Sequence, residues 1–260
     1  MKQNESGDPG MLFAHLSDLC RRRDDKNIVA ASDFLTEAEQ RSAEIVLSHT
    51  DHLFFGGFRD AERKIAVFLP DYFSEDSLYE SPSICSVAFV NISLSAYDIE
   101  NGGAIGNRDV LGSLMGFGIK RESVGDIAAE GGKATVAVKE KISGLIVSEL
   151  RKIGRFNVSV SVSDKPEIAV TRRYIEKRIT VASPRLDGIV AGVFDISREK
   201  AADCVRLGLV SVNGSVIQKN DVQLASDDTV SLRGRGKARI TLTGDTSRKG
   251  RMIVIAMLYA

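Results

Sequence analysis

The chain has 260 residues and 43% hydrophobic side chains, enough for two or three domains and too apolar for a disordered protein. Its formal net charge is zero, yet residues 1–150 carry 15 Lys/Arg against 24 Asp/Glu (net −9) while residues 151–260 carry 20 against 11 (net +9). Such asymmetry points to a polyanion partner for the basic half, and charge alone does not choose among nucleic acid, a membrane surface and an acidic protein.

The polar start MKQNESGDPG has no apolar stretch behind a basic end, which predicts no signal peptide. In MLFAHLSDLCRRR, Leu12, His15, Leu16 and Leu19 recur at helical spacing, and the basic end suits a helix C-terminus; RRRDD at 21–25 reads as that end with compensating charges. A second helix is predicted over Thr36–His49, with Glu37 and Glu39 in its first turn. LFFGGFRDAERKIAVFLPDYF gives two short strands broken at Gly56-Gly57, and SEDSLYESPS follows as a polar linker. His49 and His52 flank Asp51, but with no third ligand at useful spacing they read as a polar helix end rather than a metal site.

The next segment alternates regularly. ICSVAFVNISLS is a strand, and DVLGSLMGFG a short helix. SVGDIAAE and KATVAVK form a hairpin over Gly131-Gly132; EKISGLIVSELRKIG is an amphipathic helix and FNVSVSVS a last strand. The order β-α-β-β-α-β is the ferredoxin-like arrangement shared by RNA-recognition modules. It lacks their aromatic-rich strand motif, Phe89 being nearly the only candidate, which predicts protein binding, or backbone contacts to RNA through Arg108, Lys120 and Arg121. Gly103-Ala-Ile-Gly106 matches a GXXG pattern too common to weigh. The glycine clusters lack the context of a phosphate- or dinucleotide-binding loop, so no cofactor is expected. DKPEIAVTRRYIEKRITVAS reads as a solvated linker strand or as a surface lined by Arg172, Arg173, Lys177 and Arg178, of which Arg172 and Arg173 are candidate secondary contacts.

From Arg185, Leu186, Ile189, Val190, Val193 and Phe194 step along one face of a short helix. Ser197 is a natural N-cap for a second helix with Ala201, Ala202 and Val205 inward, and Gly208 suits its C-terminal left-handed position. LVSVNGSVI alternates around Asn213-Gly214, a strong hairpin signal. Arg185, Arg198, Lys200 and Arg206 are expected to face outward. In TVSLRGRGKARI, Arg233, Arg235, Lys237 and Arg239 fall at every second position, on one side of a predicted strand. The nine-residue run MIVIAMLYA is too short to span a bilayer and reads as a buried strand; Cys20, Cys85 and Cys204 fit no metal pattern and read as reduced core thiols of a cytoplasmic protein.

Arg185-Leu186-Asp187, Ser197-Arg198, the run G-L-V-S-V-N-G from Gly208 to Gly214 and Asp228-Thr229-Val230 resemble the S-four RNA-binding domain, with Asp227 where that family usually has Gly. NRDVLGSLMGFGIKRESVGDI, GGFRDAERKIAVFLPDY and TSRKGRMIVIAMLY resemble, in order, the middle, first and C-terminal segments of the YlmH family of bacterial proteins, with Asn107 where a His is expected. The resulting expectation is an α+β chain of three small domains: a mixed α/β domain (1–78), an RNA-recognition-like domain (79–165), a linker (166–183) and an S-four domain (184–260). The resemblance implies a non-enzymatic factor on the large ribosomal subunit, in ribosome-associated quality control, assisting C-terminal tailing of a stalled chain still attached to tRNA. Its implied partners are rRNA, peptidyl-tRNA and the tailing factor, with no membrane, acting as a monomer. Arg185-Leu186-Asp187 also resembles the catalytic motif of pseudouridine synthases, but here it opens the binding domain and reads as a local cap or pair. The competing readings are an rRNA-modifying enzyme whose acid lies in the first domain, Asp60 or Glu62, and a cell-division adaptor. Charge reversal at Arg198 and Arg206 is expected to abolish binding and leave the fold intact.

Overall fold

The computed structural model describes residues 9–170 and 174–259 and is α+β, with antiparallel strand pairing in every sheet. Two compact units are present, Met1–Thr171 and Arg172–Ala260. In the first, α1 (Pro9–Lys26), β1 (Ala30–Ala31), α2 (Glu37–Val46), β2 (Leu53–Phe55), β3 (Ile65–Phe68) and α3 (Glu75–Glu80) precede a longer alternation. That alternation is β4 (Val87–Leu94), α4 (Ala96–Glu100), α5 (Asn107–Gly116), β5 (Val124–Glu130), β6 (Lys133–Lys139), α6 (Glu140–Glu149), β7 (Lys152–Ile153) and β8 (Phe156–Ser163). The sheets run β1-β3-β2 and β5-β6-β4-β8-β7.

Local chemistry sets the boundaries. Thr36 opens α2 with a full capping box, its hydroxyl accepting from Glu39 N–H while the Glu39 carboxylate accepts from Thr36 N–H at 2.7 Å. Gly57 takes φ +83°, and Gly56 is required for space: a Cβ there would lie 2.2 Å from Ala61 Cβ and 2.7 Å from the Arg63 carbonyl oxygen. Two expectations are corrected. SEDSLYE is not a linker but contains α3, whose only core contacts come from the adjacent Leu78 and Tyr79, so it offers no periodic stripe to read. The helix predicted over 140–154 stops at Glu149, and Ile153 is buried in β7 against β8.

Within the five-stranded sheet β4 is buried on both faces, which is why it is an almost unbroken apolar run, whereas β8 exposes Asn157, Ser159 and Ser161. Ala88, Val90, Ile92 and Leu94 pack into the cluster that holds Val110 and Leu114 of α5 and Ile146 of α6. Val87 and Phe89 face the other way, into a cluster with Phe34, Phe55 and Phe58. Beyond Phe89 on that same face, the buried Asn91 and Thr135 accept from the backbone N–H groups of Glu167 (3.3 Å) and Ile168 (3.1 Å), fastening the segment after β8 across the sheet. Phe89, the candidate base-stacking residue, is 1% exposed and stands edge-on to Phe58 at 5.2 Å. Stacking on this sheet is closed off.

Cys85 is also buried in this cluster, and burial pushes its thiol up to about 12, with Lys139 only partly opposing. Brief alkylation of the native protein near pH 8, followed by peptide mass mapping, is expected to label the partly exposed Cys20 and Cys204 and spare Cys85 until the chain is unfolded. Labelling of Cys85 at the same rate would contradict this packing.

The second unit holds β9 (Tyr174–Val181), α7 (Leu186–Val193), α8 (Arg198–Arg206), β10 (Val210–Val212), β11 (Ser215–Val216), β12 (Thr229–Leu232), β13 (Gly236–Thr246) and β14 (Met252–Tyr259). They form one sheet ordered β11-β10-β12-β13-β14-β9. β9 lies within the expected linker. It is an edge strand paired with β14 over eight residues, and its inward Ile179 and Val181 join the core beneath α7. Among the described residues no helix is long and apolar enough to cross a membrane.

Candidate nucleic-acid interface

The α7–α8 pair is built as its residue pattern predicts. Leu186, Ile189, Val190, Val193 and Phe194 are each 5% exposed or less, as are Ala201 and Val205, the inward face of α8. The Ser197 hydroxyl accepts from Lys200 N–H at 3.2 Å, and Gly208 closes α8 at φ +67°. Asn213 and Gly214 both take positive φ in the β10–β11 turn. Asp228 ties this turn down, accepting from Asn213 Nδ2 at 2.7 Å and from Ala225 N–H at 2.8 Å. Asp227 sits at φ +69°, which is why glycine suits that position; its carboxylate pairs with Arg239 at 2.9 Å.

At the start of α7 the Asp187 side chain, 8% exposed, is shared by two guanidiniums. Arg185 Nε donates at 3.1 Å and Arg198 Nε at 3.0 Å, and Gly188 N–H adds a third donor at 2.9 Å. Burial pushes the Asp187 carboxyl upward, but hydrogen bonds from Arg185 and Arg198 and their charges outweigh it and hold the group below its ordinary range. Each guanidinium uses two nitrogens on Asp187. Five N–H donors each leave both with spare capacity, at side-chain exposures of 37% and 60%. Beside them, a depression of about 300 Å³ between the end of β9 and α7 is walled by Gly188 and Gly192 and bordered by Arg198 and Arg251. The result is a pair of planar donors fixed on one carboxylate, with Arg198 at the edge of a concave surface, suited to phosphate oxygens.

The remaining candidates divide. Lys200 and Arg233 are exposed, and their side chains have no hydrogen-bond or ion-pair partner among the described residues. Arg206, also exposed, pairs with Asp203 one turn earlier. The four-cation strand is corrected: β12 ends at Leu232, and Gly234 (φ +80°) and Gly236 (φ +113°) make 233–235 a turn, so only Lys237 and Arg239 share a strand face. Arg235 donates to the Phe194 carbonyl at 3.0 Å, and Lys177 to that of Val193 at 3.0 Å, satisfying the C-terminal end of α7. Lys177, a candidate surface cation of the expected linker, is thus a structural donor. The pattern reading did not single out Arg251, because the C-terminal motif that contains it was read for its apolar strand.

In the first unit Arg108 is exposed in the opening turn of α5, next to Asn107, and Lys120 is exposed beside Glu122 at 3.9 Å. Arg121 is corrected as an outward contact: it donates to the carbonyls of Val124 and Gly125, and burial, with Arg63 nearby, pulls its pKa down to about 10. Arg172 and Arg173 lie outside the described residues.

A family model described as "Putative RNA-binding domain in YlmH" matches residues 103–167. The chain is 30% identical over 222 residues to the Ribosome-associated protein quality control protein P2 of Bacillus subtilis (strain 168), an alignment covering 84% of this chain and 82% of that one. Among solved structures it is similar to the Cell division protein ylmH from Streptococcus pneumoniae, at 21% identity and a TM-score of 0.43, covering 63% of this chain and 95% of that chain. With a relative at this identity aligned over more than four-fifths of both sequences, the chain belongs to the YlmH family.

Proposed function

We propose that this protein is an RNA-binding factor that attaches to the bacterial large ribosomal subunit through its second unit. There it assists C-terminal tailing of a stalled nascent chain still linked to tRNA. The observation that carries the reading is the arginine pair held on Asp187, in a unit that also exposes Lys200 and Arg233 and has 16 Lys/Arg against 9 Asp/Glu. The B. subtilis relative, named for ribosome-associated quality control, supports the process. In this reading residues 1–78 and 79–165 are two domains, the second ferredoxin-like, and the chain works in the cytoplasm as a monomer. It acts by binding rather than by chemistry, since the Asp187 oxygens are engaged by two guanidiniums and a backbone N–H and are poorly placed to attack a base.

The test is sedimentation of the full chain with purified large and small subunits at increasing salt. It is expected to pellet with large subunits, and about five phosphate contacts give a log–log slope of roughly −3.5 to −4.5. Equal pelleting with both subunits, or binding indifferent to salt, would overturn the assignment.

A further inference from the structure

The second unit contains only three aromatic side chains: Tyr174, Phe194 and Tyr259. Phe194 is core, at 5% exposure. The two tyrosines are directly paired across β9 and β14, with ring centroids 5.0 Å apart and an interplanar angle of 67°. The register puts them on the face away from α7 and α8, because the alternate residues Ile179, Val254 and Ala256 point into the helix-side core. Tyr174 is 44% exposed. The Lys237 ammonium lies 5.2 Å from the Tyr259 ring centroid. Farther along this face Met257 lies between Arg239, which pairs with Asp227, and Glu176. Ile255 stands opposite Arg178, so the face carries cations on both flanking strands with a single carboxylate between Tyr174 and Arg178.

We infer that this outer sheet face is a platform for unpaired RNA nucleotides, with a base stacked on the Tyr174–Tyr259 pair and the following phosphates drawn to Lys237 and Arg178. The chemistry matches single-stranded RNA: every base offers a π-face to an aromatic ring, and the neighbouring cations track the backbone. The unit's net charge of +7 (16 Lys/Arg against 9 Asp/Glu) favours a polyanion over an acidic-neutral protein surface. The five-stranded sheet of the first unit has no such face to offer, since Phe89 is sealed against Phe58. The inference rests on the RNA-binding reading above and adds a second kind of contact, to bases rather than to phosphates at α7–α8.

Two probes separate the claims: a short single-stranded oligouridylate and an RNA hairpin stem, each titrated against the full chain by fluorescence anisotropy. Tyr174→Ala is expected to weaken the single strand roughly tenfold and leave the stem unchanged, while Tyr174→Phe, which keeps the ring, restores binding. Arg178→Ala should flatten the single-strand salt slope by about 0.7. A 4-thiouridine-substituted oligonucleotide should crosslink the unaltered protein at Tyr174 or Tyr259, which requires no variant to fold. Stem binding without single-strand binding, an unaffected Tyr174→Ala, or crosslinks mapping elsewhere would overturn the platform and leave the phosphate surface standing. Failure of both probes would remove the RNA-binding reading as well. A face that serves instead to dock a protein gives no oligouridylate binding.

Discussion

Asp187→Asn is expected to lower the unfolding free energy of the second unit by about 2 kcal/mol, the range for charge-assisted hydrogen bonds lost at a buried group. The amide keeps the size of the carboxylate but presents one acceptor oxygen to two guanidiniums and a backbone N–H. The pH dependence fixes the cause. The folded carboxyl is held below its ordinary value, so its stabilisation is complete above the unfolded pKa of about 3.9 and disappears as pH falls through the folded value. Denaturation curves of the variant and the unaltered protein should therefore converge in acid and separate at neutral pH. RNA binding supplies a second readout with a counterintuitive sign. Removing a negative charge should strengthen attraction to phosphate, yet freeing Arg185 and Arg198 adds an ordering cost to binding, and affinity is expected to drop about fivefold. Tighter RNA binding by Asp187→Asn would show that the carboxylate merely neutralises the surface instead of arranging it.

The second large effect concerns α8. Lys200→Glu with Arg206→Glu should weaken binding to large subunits roughly 30-fold at physiological salt and reduce the salt slope by nearly two, the loss of two phosphate contacts. Melting should change little, because the Lys200 side chain has no partner among the described residues, its backbone bond to Ser197 survives the substitution, and Arg206 pairs with the exposed Asp203. The pair Arg198 and Arg206 marked out by the sequence is a poorer choice. Glu at 198 would sit against the buried Asp187 carboxylate, so lost binding would be entangled with lost stability. Unchanged co-sedimentation of the Lys200/Arg206 variant would move the interface off α8.

What the sequence made legible here is local. The apolar stripe of α7, the Ser197 cap, the Gly208 stop and the Asn213-Gly214 turn each depend on residues within a few positions of one another, and each forms as read. The destinations of the cations were illegible because they depend on distant groups: Arg198 finds Asp187 eleven residues away, and Arg235 a carbonyl 41 residues away. The alternation R-G-R-G-K mimics a strand with one charged side, but two glycines at positive φ turn it into a loop. The sealed sheet was hidden for a related reason. Asn91 and Thr135 look like the solvent face of β4 and β6, and only the segment around Ile168, reaching them from beyond β8, makes that face interior. Asp227 is the opposite case: a departure from the expected glycine that the backbone tolerates and that gains an ion pair.

The fastening of Lys177 and Arg235 to the end of α7 bears on how strongly the molecule responds to ionic strength. A lysine or arginine holding a main-chain oxygen in place keeps its charge but is structural mortar, anchored where the helix end needs it and with fewer donors left for a phosphate. Valence toward a polyanion is accordingly smaller than the tally of basic residues, and titrations interpreted from that tally would overstate how quickly the complex dissolves in salt.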